Sequence, residues 1–75
     1  MSDSRRQFAS RIIRLTRVAK GLRQQDVADA LGVSRARISQ IEHGCKGFGR
    51  ATLIRFADAL DSADVRDLAA DWGSK

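Results

Sequence analysis

Residues 23–44 read RQQDVADALGVSRARISQIEHG, and their interpretation decides the fold. Two short helical patterns flank Gly32-Val33-Ser34. The first covers roughly 24–31, with Val27, Ala28 and Leu31 inward. Asp26 falls in its first turn, where a carboxylate suits the positive end of the helix dipole. Gly32 ends it, because glycine adopts a left-handed conformation at little cost. Ser34 is a good N-cap for the second pattern, over 35–43, which Gly44 stops. So short a connection forces a sharp turn between the two, the helix-turn-helix arrangement. The second segment offers only Val33, Ala36, Ile38 and Ile41 as apolar positions, a thin stripe for a helix that must be held in place.

Working outward, helical periodicity continues on both sides. Ser4 and Gln7 have the spacing of a capping box. Phe8, Ile12, Leu15 and Ala19 then recur at i, i+4, i+7 and i+11, which predicts the inward face of a helix ending near Lys20–Gly21. Beyond Gly44, CKGFG (45–49) reads as a loop in which Phe48 is expected to be partly buried. A helix over about 50–60 gathers Leu53, Phe56, Ala57 and Leu60 on one side. Ser62 caps a last helix, 63–72, with Val65, Leu68 and Trp72 in line. The expectation is an all-α single domain over 1–75, five short helices with the helix-turn-helix at about 24–43.

Composition narrows the function. At 75 residues the chain supports one modest core and no second lobe. Its net charge of +5 is uneven, +7 over residues 1–50 and −2 over 51–75. A basic first part and a mildly acidic end suit a polyanion on one face, although a merely solvated basic surface has the same charge. No apolar run approaches membrane-spanning length, so no membrane is expected. MSDSRRQFAS lacks the apolar core of a secretory signal, which predicts a cytoplasmic, nucleoid-associated protein. One cysteine forms no internal disulfide and agrees with a reducing compartment.

Residues 23–44 closely resemble the helix-turn-helix of the lambda-repressor/Cro-like family, also called the xenobiotic-response-element type. The resemblance runs from about Arg11 to Leu68 and is most specific at Gln24, Ala28, Leu31-Gly32-Val33-Ser34, Ile38-Ser39, Ile41-Glu42 and Gly44. It implies a five-helix DNA-binding domain whose third helix enters the major groove. By matching positions, base-reading falls to Arg35, Ala36 and Gln40, with Arg37 and Ser39 as auxiliaries. Phosphate contacts are expected from Gln24, Arg23, Gln25, Ser34, His43, Lys46 and Arg50. Arg23 departs from the family, which usually has a Ser/Thr-type cap there. The loop departs too, lacking the family's frequent proline and serine. Arg17 and Glu42 stand where related domains form a partly buried ion pair. Family members of this size commonly dimerise through terminal helices, which implies a homodimer interface within about 61–75 at Val65, Leu68 and Trp72, although Val65 and Leu68 also read as completing the protein's own core.

The function this implies is sequence-specific binding of double-stranded DNA by a homodimeric transcription regulator on a palindromic operator. A repressor or an autoregulating restriction–modification controller fits, with an antitoxin or a protein-interaction adaptor of the same fold as alternatives. His43 and Cys45 are the whole complement of His and Cys, too few for zinc. No metal or cofactor is therefore expected, and a chain this short leaves no room for a sensor domain or ligand pocket, so no small-molecule ligand is expected either. Asp58, Asp61, Asp64, Asp67 and Asp71 read as a solvated acidic face. With no Ser/His/Asp set and no phosphate-cradling glycine loop, an enzyme is not expected.

Overall fold

Five helices follow one another: α1 (Ser2–Ala19), α2 (Gln24–Leu31), α3 (Arg35–Glu42), α4 (Arg50–Leu60) and α5 (Ala63–Asp71). The computed structural model describes residues 2–44 and 48–72, with side chains from Arg5 onward, and no strand occurs among them. The expectations for Cys45 and Lys46 lie outside the described residues.

The helix ends follow the chemistry of single residues. Ser34 Oγ accepts from the Arg37 N–H at 3.1 Å and Ser62 Oγ from the Val65 N–H at 3.2 Å, the two N-caps expected of serine. Gly32 has φ +71, and the following Val33 N–H reaches back to the Ala28 carbonyl at 3.0 Å. That closes α2 and turns the chain into α3. α4 ends in the same left-handed way at Asp61, φ 49, a residue type that tolerates this conformation. α1 is already helical from Ser2, so Ser4 stands inside the helix rather than at its N-cap, and the capping box expected of its side chain lies outside the described residues.

α2 opens differently. Arg23 makes no side-chain cap, so Asp26 stands in: its Oδ2 accepts from the Arg23 N–H at 2.8 Å and lies 3.5 Å from Arg23 Nε. That backbone hydrogen bond, helped by the guanidinium, holds the Asp26 carboxyl below the usual aspartate range. A carboxylate whose pKa is depressed on folding stabilises the protein above its unfolded value, and the gain disappears as pH falls through the folded value. Asp26→Asn is therefore expected to lower the thermal midpoint at neutral pH, by a small amount for so exposed a group. The difference from the parent should close progressively below about pH 4, as a series of melting curves would register.

Phe56, Ile13, Ile38, Leu53, Leu60, Val27 and Val65 are fully enclosed and form the centre of the core. Ala28 is 0% exposed, which agrees with the close approach of α2 and α3 that its small side chain permits. Phe48 is half-buried, as expected, and stacks on Trp72 with ring centroids 5.6 Å apart. The Arg5 guanidinium lies over the Trp72 ring, 4.6 Å from its centroid, and donates to the Asp71 carbonyl at 2.7 Å. The first helix is thus tied to the end of the last.

The inward face of α1 is not the one the periodicity predicts. Ala9 and Ile13 are fully buried, whereas Phe8 is 56% exposed and Leu15 54%. Ala19 is exposed too, and Ile12 is half-buried. With about 100° between successive residues, Ile13 lies about 140° around the helix from Phe8. What turns that face inward is polar: Ser10 and Arg17 lie on the same side as Ile13, and both bond to the last turn of α3.

Candidate nucleic-acid interface

α3 buries Ile38, Ile41 and Glu42, and no more. Polar anchors supplement this narrow contact. Ser10 donates to the Ile41 carbonyl at 2.6 Å, an acceptor in the last turn of α3 that also takes the Gly44 N–H at 3.1 Å. Arg17 grips Glu42 through two parallel hydrogen bonds, Nε to Oε2 at 2.6 Å and Nη2 to Oε1 at 3.0 Å. Its Nη1 also donates to the Leu22 carbonyl at 2.8 Å, so one guanidinium holds both α3 and the chain leading into α2. Arg55 donates to the Leu31 carbonyl and fixes the end of α2 from the side of α4. The ion pair expected from the resemblance is present.

The opposite side of α3 faces away from the core. Arg35, Ala36, Arg37 and Gln40 are exposed and Ser39 is half-buried. Two arginines, an amide and a methyl thus project from a helix fixed beneath, with no apolar cluster among them. His43 Nδ1 lies 2.8 Å from the Ser39 carbonyl. A carbonyl only accepts, so Nδ1 carries the proton in this contact.

The predicted phosphate contacts divide into three groups. Arg23 and Arg50 are exposed cations at the starts of α2 and α4, and the Arg23 side chain is 84% accessible. Gln25 is exposed but donates to Asp29 Oδ1 at 2.8 Å, while the Ser34 hydroxyl accepts from the Arg37 N–H. Gln24 is half-buried and engaged on two sides, with Nε2 on Glu42 Oε1 at 3.1 Å and Oε1 3.4 Å from Arg35 Nη1.

Of the predicted dimer residues, Val65 needs correction. It is 0% exposed, enclosed where α5 lies on the core, and presents no surface to a second copy. Leu68 and Trp72 are half-buried. Ile54, outside the apolar stripe that periodicity marks on α4, is 44% accessible and borders a groove with Ala69 and Ala70. Also missed are Arg11 and Arg14, which line a groove with Gln7, Ser10, Glu42 and His43 at the end of α3. Their signal was visible: positions 7, 10, 11 and 14 follow the i, i+3, i+4, i+7 rule of one helix face.

Two helices joined by a tight glycine–serine turn, the second pinned beneath and polar above, make up a helix-turn-helix module. Residues 7–70 match the family model described as helix-turn-helix domain, and the chain belongs to that family. Among solved structures it is similar to the clp gene regulator ClgR from C. glutamicum. Identity there is 30%, the match covers 89% of this chain and 90% of that one, and the TM-score is 0.78. It is also similar to the restriction-modification controller protein C.AhdI from Aeromonas hydrophila, at 27% identity, 88% and 94% coverage and a TM-score of 0.77. No curated protein sequence matches it significantly. The fold is that of helix-turn-helix transcriptional regulators, in keeping with neighbours that are a gene regulator and a controller protein. Among the described residues no helix is long and apolar enough to cross a membrane.

Proposed function

We propose that this protein is a sequence-specific transcription regulator that binds double-stranded DNA by inserting the outer face of α3 into the major groove. The observation that carries this reading is the exposure of Arg35, Ala36, Arg37 and Gln40 together on a helix fixed from below. Arg35 suits guanine O6 and N7, Gln40 suits adenine N6 and N7, and the Ala36 methyl suits a thymine methyl, with Arg37 and Ser39 assisting. Arg23, Gln24, Gln25, Ser34, His43, Lys46 and Arg50 contact phosphates and fix register.

The regulator acts as a homodimer on a palindromic operator, with its two reading helices about 34–36 Å apart. Leu68, Trp72 and Ile54, which borders a groove with Ala69 and Ala70, supply apolar surface for the second copy. Repression or autoregulated control by protein concentration follows, and the likeness to a restriction-modification controller supports the second form.

Selection of bound duplexes from a random pool tests the proposal. The expected result is a palindromic consensus whose binding weakens steeply with salt as counterions leave the DNA. Arg50→Ala is expected to weaken binding to all sequences alike and to reduce the salt slope by about 1 per protomer. Enrichment of no sequence, with no salt-sensitive complex, would instead favour a protein-interaction adaptor.

A further inference from the structure

Four side chains from three helices form one line of hydrogen bonds from the core to the reading surface. Arg17 on α1 holds Glu42 on α3, Glu42 Oε1 accepts from Gln24 Nε2 on α2 at 3.1 Å, and Gln24 Oε1 faces Arg35 Nη1 at 3.4 Å. We propose that Glu42, whose side chain is 1% accessible and out of reach of any duplex, is a positioning residue for base recognition. It decides which end of the Gln24 amide meets Arg35. The inference rests on the DNA-reading role proposed for Arg35.

The argument is one of donors and acceptors. An ionised carboxylate only accepts, so the Gln24 NH2 must point at Glu42 and the Gln24 oxygen must point away. A guanidinium only donates, so Arg35 requires that same oxygen. Turning the amide over would set oxygen against carboxylate and NH2 against guanidinium, two mismatches at once. The polarity of Gln24 is therefore fixed from both sides, and Glu42 is itself fixed by the bidentate grip of Arg17.

Arg35 is exposed and long, and unrestrained it would sample many rotamers before meeting a base. The contact with Gln24 occupies one of its five N–H donors and leaves the others for a base edge. Holding a side chain near its bound position removes part of the ordering cost of binding, which corresponds to about two- to tenfold in affinity for the base it reads.

The test compares Glu42→Gln, Arg35→Ala and the double variant on duplexes carrying each base in turn at every position of the selected site. Glu42→Gln keeps a hydrogen-bonding group beside Arg17 but gives position 42 an NH2 of its own, which frees the Gln24 amide to turn. The expected result is a two- to tenfold loss of preference at the Arg35 base pair alone. In the Arg35→Ala background the same change should alter preference no further. A uniform loss at all positions, or an equal loss without Arg35, overturns the proposal. In the DNA-free protein, the Arg35 side-chain N–H resonance is expected to shift in Glu42→Gln and in Gln24→Met, which spares the ion pair if the first variant folds poorly. An unmoved resonance overturns the relay. If the wild type shows no base preference but the resonance shifts, the reading role fails while the relay stands.

Discussion

Glu42→Leu is expected to lower the free energy of unfolding by about 3–5 kcal/mol, and Arg17→Met combined with Glu42→Leu by far less. The Glu42 side chain is 1% accessible and that of Arg17 12%, so removing the carboxylate strands a charge that water barely reaches. A domain of 75 residues has a total stability of about 4–11 kcal/mol, so the single change removes a large part of it. The pair itself gains little over apolar groups of similar size, because desolvating both charges offsets most of their attraction. Denaturant titration of the single and double variants measures both quantities. A single-variant cost below about 1 kcal/mol would mean that Arg17 escapes to solvent and the pair is not a structural anchor. The double variant also separates stability from reading. It should remain folded, yet with no carboxylate beneath Gln24 it should have lost the fixed polarity on which Arg35 depends.

The difference between what was legible in the sequence and what was not follows from the range of the interactions. Ser34, Gly32 and Ser62 act within four residues of themselves, so their caps and turns could be read directly, and the helix-turn-helix with them. The inward face of α1 could not be read this way. Counting apolar residues favours the narrow stripe of Phe8, Ile12, Leu15 and Ala19, whereas the true face includes Ser10 and Arg17, which such a count scores as surface. Val65 was assigned to an interface because it lies in line with Leu68 and Trp72. A helix periodicity identifies the apolar side of α5 without saying whether its own core or a partner covers it. The outward residues of α3 were legible by position, since Ile38 and Ile41 fix which side faces the core. The relay through Gln24 was not, because its hydrogen-bonded pairs are 11 to 25 residues apart and meet only once three helices have packed.

Arg35→Ala separates folding from recognition most directly. Arg35 is exposed, and its contact with Gln24 is long, at 3.4 Å, so little of the fold depends on it. Thermal stability should therefore change by less than about 0.5 kcal/mol. Recognition should change much more. If two parallel hydrogen bonds to guanine O6 and N7 are lost, preference at that base pair should fall by about 1–3 kcal/mol, roughly five- to 150-fold, in each half-site. Preferences assigned to Gln40 and Ala36 should persist, because those side chains project from later positions on the same fixed helix. Competition binding across all single-base variants of the selected operator, alongside a melting curve, provides both readings. A uniform weakening over every sequence would reassign Arg35 to the phosphate backbone, where a cation contributes affinity and no sequence information. Unchanged preference at every position would remove Arg35 from the reading surface and leave Gln40 or Arg37 as the principal reader.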